Sequence, residues 1–273
     1  MREPLSYQQF VERALIKNYK GDLYSKFMQA LIRYEMIKPG DKVAVAISGG
    51  KDSLVLAKLF QEFKRHGNID FELVFLTMDP GFLPAAMEKH LDTCRKLGID
   101  IVVEPSDVFE VNRKMGVMDS PCFLCARMRR GVLYKLARKH GCNKLALGHH
   151  MDDVIETTIL NMFYEGRYQT MMPKIRSENY EGIELIRPMY YIKESDIVRF
   201  ANYCHLEPIK CGCPISDGEK DTKRKEIKRW IAEWRKTEPN IDINIFRSAE
   251  NVNLKCVLRY HDDDHERTFL DDY

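Results

Sequence analysis

Ala46-Ile47-Ser48-Gly49-Gly50-Lys51-Asp52-Ser53 stands between a short apolar run, Val43 to Ile47, and a stretch in which Val55, Leu56, Leu59, Phe60 and Phe63 form one helical stripe. A strand, a glycine turn and a helix start in that order aim backbone N–H groups and a helix dipole at one point, where an anion is stabilised. The two glycines let the backbone approach a ligand closely, the serine hydroxyls add donors and Lys51 adds charge. The segment is not a Walker A loop, because Val45 stands where that loop needs glycine and an aspartate follows the lysine. Nor does it hold a GxGxxG fingerprint. The combination is a phosphate cradle rather than a plain Gly-Gly turn, and as a ligand-receiving loop it is expected to be open to solvent.

Reading outward, β-like runs alternate with helical patterns: Glu72 to Thr77, Asp100 to Glu104, Lys144 to Gly148 and Glu184 to Pro188, each bounded by turn residues. This alternation predicts an α/β fold with a doubly wound parallel sheet covered on both faces, whose ligands sit at the carboxyl ends of the strands. Residues 1–40 read as a helical lead-in carrying Phe10, Leu15, Tyr24, Phe27, Leu31 and Tyr34, and Lys38-Pro39-Gly40-Asp41 ends it. The expected organisation is this lead-in, a nucleotide-binding domain over 41–205, and a helical C-terminal segment over 206–273 that closes in an irregular stretch and an acidic tail.

The 273 residues are 44% hydrophobic, 10% aromatic and 31% charged, a globular balance that excludes a disordered chain or a disulfide mini-scaffold. No run approaches a membrane span, and the N-terminus lacks the apolar core of a signal peptide, so a cytoplasmic location and no membrane partner are expected. In that reducing compartment the eight cysteines read as metal ligands, redox groups or core residues. Net charge is +2, but His261 to Tyr273 carries −5, leaving +7 on the preceding 260 residues; such a body permits a polyanionic partner without requiring one.

Four further segments carry chemistry. Pro121-Cys122-Phe123-Leu124-Cys125-Ala126-Arg127-Met128-Arg129-Arg130-Gly131 precedes a helical run, and Cys211-Gly212-Cys213 follows some 90 residues later. A CxxC serves as a redox pair, half a zinc site or iron–sulfur ligands; the distant thiols weigh against the redox pair, and Cys-x-Cys is tight for tetrahedral zinc. Cys94, Cys142, Cys204 and Cys256 are isolated and read as small hydrophobes. Gly148-His149-His150-Met151-Asp152-Asp153 closes the fourth run, where its two acids either cap a helix or bind magnesium and align reacting groups. Lys223 to Lys236, KRKEIKRWIAEWRK, sets Ile227, Trp230, Ile231 and Trp234 on one stripe, which favours the tryptophans as core residues over base-stacking platforms. Its basic residues Lys223, Lys225, Lys228, Arg229 and Lys236 read either as phosphate contacts or as a solvated face. Arg127, Arg129 and Arg130, beside the cysteine pair, are better placed to draw in a phosphate backbone.

SGGKDS after a first strand resembles the PP-loop of the ATP pyrophosphatase superfamily. Taken in order with PCFLCARMRRG, LALGHHMDDVIETTILNMFYEG, RPMYYIKESDIVRFA and the late cysteines, it resembles the tRNA 2-thiocytidine synthetase family over roughly residues 40–250. The resemblance implies an ATP- and iron–sulfur-dependent enzyme that replaces the C2 oxygen of cytidine 32 in a tRNA anticodon loop with sulfur. Ser48, Gly49, Gly50, Lys51, Asp52 and Ser53 would hold the ATP phosphates, and Gly148 and His149 would lie beside them. Met78 would meet adenosine or simply fill the core. Asp152 and Asp153 would hold Mg2+. Cys122, Cys125 and Cys211, or Cys213 in its place, would bind a [4Fe–4S] cluster. Arg129 stands where related thiouridine synthetases keep a lysine, which implies a catalytic part. The implied partners are tRNA, a sulfur donor such as sulfide or a cysteine desulfurase persulfide, and a second copy in a homodimer. The competing expectations are a thiouridine synthetase, a lysidine synthetase-like ligase that needs no cluster, and a zinc-stabilised nucleotide- or RNA-binding module.

Overall fold

Alternating apolar runs and amphipathic stretches assemble into a six-stranded sheet of order β3-β2-β1-β4-β6-β5. The computed structural model describes residues 4–106, 121–209, 223–261 and 265–272. The strands are β1 (Lys42–Ala46), β2 (Glu72–Asp79), β3 (Ile101–Pro105), β4 (Lys144–Ala146), β5 (Lys174–Arg176) and β6 (Glu184–Ile186). All neighbouring pairs are parallel except β5 with β6. The five runs read from the sequence are all strands. The antiparallel β5 was not among them, because three residues carry no period for a pattern to reveal.

β1 lies between its two partners, with Val45 opposite Phe75 on one side and Ala146 on the other. Val43, Ala44 and Val45 are fully buried, which is why the strand reads as a continuous apolar run rather than an alternating one. The chain leaves β1 through the phosphate loop into α3 (Lys51–His66). Instead of one buried stripe, α3 buries Leu54, Val55, Leu56, Ala57, Leu59, Phe60 and Phe63. The lead-in causes this. Its helices α1 (Tyr7–Lys17) and α2 (Ser25–Arg33), joined by a π-helical turn at Lys20–Tyr24, give α3 a second apolar neighbour: Phe27 meets Phe60 and Phe63 edge-on at ring-centre distances of 5.3 and 6.1 Å. Ser6 starts α1 with a reciprocal cap to Gln9.

The remaining helices are α4 (Pro84–Lys96), α5 (Pro121–Lys139), α6 (Met151–Tyr164), α7 (Glu194–Tyr203), α8 (Lys223–Thr237) and α9 (Ile241–Ser248). The chain forms two compact units, one of Met1–Asp153 with Met172–Lys220 and one of Val154–Met171 with Asp221–Tyr273. In the second unit the stripe of α8 faces inward: Ile227 and Ile231 are buried, and Trp230 stacks on Tyr164 with 7° between the rings. Much of the basic charge of α8 is answered inside that unit. Arg224 and Lys228 pair with the buried Glu156 at 3.4 and 3.5 Å, and Lys223 lies over the Tyr164 ring. The expected irregular acidic end contains a short hairpin of β7 (Arg259–His261) and β8 (Glu266–Thr268).

Glu12 fixes α3 against the lead-in by pairing with two of that helix's cations, Lys58 and Arg65. The side chain of Lys58 is wholly buried, and its ammonium donates to Glu12 Oε1 (2.9 Å), Gln61 Oε1 (2.6 Å) and the Leu97 carbonyl (2.9 Å). Burial alone would raise the pKa of Glu12, but hydrogen bonds from Arg65, Gln8 and Lys58 outweigh it and bring the carboxyl down to about 2. A carboxyl with a lowered folded-state pKa contributes stability above its unfolded value, near 4.5, and loses it as pH falls toward 2. Glu12→Gln strands the buried ammonium and should cost about 3–5 kcal/mol in urea unfolding at pH 7. The gap between wild type and variant should narrow as the pH is lowered from 4.5 toward 2.

Candidate active site

The phosphate loop is held from within by one hydroxyl. Ser53 Oγ donates to the Gly50 carbonyl (2.9 Å) and accepts from the Ser48 N–H and the Ser48 hydroxyl (both 3.2 Å). Only 5% of Ser53 is exposed, so it braces the loop rather than facing a ligand, contrary to the expectation of an open loop throughout. Gly49 has φ +82°, and a Cβ there would lie 2.5 Å from Ile209 Cγ1 and 2.9 Å from His90 Nδ1. Only glycine fits. The Ile209 N–H donates to the Gly49 carbonyl (3.0 Å), which ties the chain beyond α7 to the loop. Gly50 caps α3 through its backbone alone, so no side chain there competes with an anion for the N–H groups of the first turn.

Lys51 hydrogen-bonds Asp52 Oδ2 (3.2 Å) and Glu194 Oε1 (3.1 Å). Burial works against its charge, but the two carboxylates outweigh burial and raise its pKa. Asp52 Oδ1 is buried and accepts no hydrogen bond, although Lys51 Nζ lies 3.2 Å away and His150 Nε2 4.0 Å away. Glu194, at the start of α7, escaped the sequence reading because nothing local to it signals a partner 143 residues earlier. Its backbone N–H donates to Asp152 Oδ2 (2.6 Å), while Asp153 Oδ2 accepts from the His150 N–H (2.9 Å) and so caps α6. Both acids thus do structural work at this end of the sheet. A Cβ on Gly148 would press to 3.3 Å on the Asp52 backbone, so the end of β4 lies against the start of α3. His149 Nδ1 accepts from Arg187 Nε (3.3 Å), which leaves Nε2 as its donor. Burial lowers the Arg187 pKa to about 10.

Beside the loop lies a cavity of about 290 Å³ at the carboxyl ends of β1 and β2, lined by Ser48, Gly50, Met78, Phe82, Arg129 and Ile209 among others. Met78 both packs in the core with Leu76 and Leu145 and lines this cavity. Asp79 turns the chain out of β2 by accepting from the Gly81 and Phe82 N–H groups (both 2.9 Å). Arg129 reaches the cavity from α5, the helix whose first turn carries Cys122 and Cys125. The side chains of those two cysteines, and Cys211 and Cys213 altogether, lie outside the described residues. Among the described residues no group of three or more His, Cys, Asp and Glu is arranged to hold a metal ion. None of the described helices is long and apolar enough to cross a membrane.

Ser48 to Ser53, Met78, Arg129, Gly148, His149, Asp152 and Asp153 therefore collect where β1 separates β2 from β4, the crevice position of an open α/β sheet. The comparisons with known proteins agree with that geometry. A family model described as the PP-loop domain matches residues 22–210. The chain is 37% identical over 234 residues to a tRNA-cytidine(32) 2-sulfurtransferase of Geobacter sulfurreducens, covering 84% of this chain and 89% of that one. It is 36% identical over 253 residues to the protein of the same name from Geotalea daltonii, covering 91% and 96%. Among solved structures, the U34-tRNA thiolase NcsA from Methanococcus maripaludis with its [4Fe-4S] cluster superposes with a TM-score of 0.67 at 24% identity, over 85% of this chain and 80% of that one, and so shares the fold. A phosphate loop of this form on this sheet, and kinship of this extent, establish that the chain belongs to the PP-loop family, in the branch of the tRNA-cytidine(32) 2-sulfurtransferases.

Proposed function

We propose that the protein is a cytoplasmic, ATP-dependent tRNA sulfurtransferase that adenylates the C2 oxygen of cytidine 32 and replaces it with sulfur. The observation that carries this reading is a cavity walled on one side by the phosphate loop and on another by Arg129, from the helix that begins with the paired cysteines. The names of the homologues support the substrate.

Oxide is a very poor leaving group, so a cytidine C2 carbonyl does not exchange oxygen for sulfur unaided. In the proposed sequence the C2 oxygen attacks the α-phosphorus of ATP and pyrophosphate departs. Sulfide then adds at C2, the C–O bond breaks and AMP leaves, which restores the double bond as C=S. The loop N–H groups at Gly49 and Gly50 would hold the phosphates, with Lys51 turning from Asp52 and Glu194 toward the added negative charge. Arg129 would stabilise charge developing at the α-phosphorus. Magnesium needs only one or two carboxylates when phosphates complete its shell, so the pair Asp152 and Asp153 suffices without an all-protein cage.

The thiolate set suits an iron–sulfur cluster better than a hard cation. Cys122 and Cys125 lie three residues apart in one helical turn. Cys122, Cys125 and Cys211, with Cys213 as the alternative third ligand, would hold a [4Fe–4S] group. When bound, that group would present the sulfide that replaces oxygen; free sulfide enters at that oxidation level directly, whereas a desulfurase persulfide would yield it only with two electrons from a thiol reductant.

Incubation with tRNA and labelled ATP should give AMP and pyrophosphate; ADP and phosphate would overturn the reading. Asp52→Ala should slow this reaction by ~10²-fold while melting as wild type does, since a misdirected loop costs rate rather than packing. Ser53→Ala should slow the reaction too, and it should also lose about 1–3 kcal/mol of stability because it deletes a buried, doubly accepting hydroxyl.

Serine is a poor iron ligand, so Cys122→Ser, Cys125→Ser and one of Cys211→Ser or Cys213→Ser should each lose iron and the absorption band near ~400 nm after anaerobic purification. The buried Cys142 should tolerate serine with its iron retained. Iron kept in all four ligand variants, or a colourless zinc protein, would rule the cluster out.

A further inference from the structure

Against the phosphate loop four buried groups form a chain. Thr77 Oγ1 lies 3.0 Å from the Ile47 carbonyl and 2.9 Å from His90 Nε2, and His90 Nδ1 lies 3.8 Å from Cys94 Sγ. Thr77 and His90 are fully buried and Cys94 is 1% exposed. The hydroxyl has one proton. The Ile47 carbonyl only accepts, so that proton belongs to it, and His90 Nε2 must be the donor to Oγ1. This fixes the His90 tautomer: Nε2 carries the hydrogen, and Nδ1 is the bare edge that receives the Cys94 thiol and stands 2.9 Å from where a Cβ on Gly49 would be. Burial keeps the ring neutral by lowering its pKa, and it pushes the Cys94 thiol up to about 12.

We propose that His90 is a positioning residue for the phosphate loop, acting through Thr77 on the Ile47 carbonyl and by contact on Gly49. The β1 ladder ends at Ala46, paired with Leu76. Thr77 therefore extends the hold of the sheet by one residue, onto the peptide that enters Ser48. The Ile209 side chain and His90 Nδ1 both occupy the space a Cβ on Gly49 would need, so α4 and the segment beyond α7 both close on this residue. Loss of the directed bond from His90 frees the Thr77 hydroxyl to turn, the Ile47 peptide to rotate and the Gly49 N–H to swing off the line on which it meets a phosphate. The proposal rests on the reading that Ser48 to Ser53 hold the ATP phosphates.

The test is ATP affinity of the intact chain, measured by isothermal titration with a non-cleavable α,β-methylene analogue, beside thermal melting. Two pairs of variants separate bonding from packing. Thr77→Val keeps the shape and removes the hydroxyl, whereas Thr77→Ser keeps the hydroxyl and removes a methyl group. His90→Leu removes the donor, whereas His90→Gln places an amide N–H near the Nε2 position. Tenfold or greater weakening in Thr77→Val and His90→Leu is expected, with Thr77→Ser and His90→Gln within about threefold of wild type even where all four melt lower by similar amounts. Should His90→Leu fail to fold, the threonine pair decides alone. Equal affinity in Thr77→Val and Thr77→Ser, or affinities that simply follow melting temperature, would overturn the proposal. If wild type itself binds no analogue, the fault lies in the ATP reading, and the proposal falls with it.

Discussion

The left-handed backbone at Gly49 is the constraint on which the site is built. At φ +82° and with two side chains pressed into the space a Cβ would take, this residue admits none, and the elements that press on it converge there from distant parts of the chain. His90 comes from α4, Ile209 from beyond α7, and Ser53 closes the turn from within. A loop so surrounded is set before any ligand arrives, which is the state in which backbone N–H groups stabilise charge at little reorganisation cost. The support extends outward: α3 is held by the Lys58–Glu12 pair, and β1 is paired on both sides.

Charges of both signs meet at the site. Lys51 is shared between Asp52 and Glu194, both of which a triphosphate would displace as partners. Asp152 and Asp153 already hold backbone N–H groups, which fixes both carboxylates at the same end of the sheet. Arg129 comes from a different helix altogether. Lys51 and Asp52 share the start of α3, whereas Arg129, the Asp152–Asp153 pair and Glu194 each arrive on a different helix, and a ligand that bridges them would make bonds across the crevice.

Much of this was legible in the residues, and what was missed shares one physical reason. SGGKDS, the alternating runs and the GHHMDD segment are local signals, and each put its residues at the correct end of the sheet. Glu194, His90, Ile209 and Arg187 were not legible, because what makes each matter is a neighbour far off in sequence: Lys51, Gly49 and His149 lie between 38 and 160 residues away. α3 looked one-sided for the same reason, since the lead-in that covers its second face is specified elsewhere. The basic character of α8 overstated its available charge, because composition does not reveal that Glu156 sits buried beneath Arg224 and Lys228.

An open sheet ends in rows of unpaired N–H and C=O groups, and each row is a template on which another chain can lengthen the sheet. β5 meets this hazard at one margin: it reverses direction, runs for only three residues and carries Lys174 and Arg176 around a half-exposed Ile175. At the opposite margin β3 stops in Pro105, which has no N–H to offer. The protein thereby discourages strand-by-strand self-association at both borders with very short, charged or proline-terminated strands, and leaves the crevice in the middle of the sheet free to be shaped by its ligand alone.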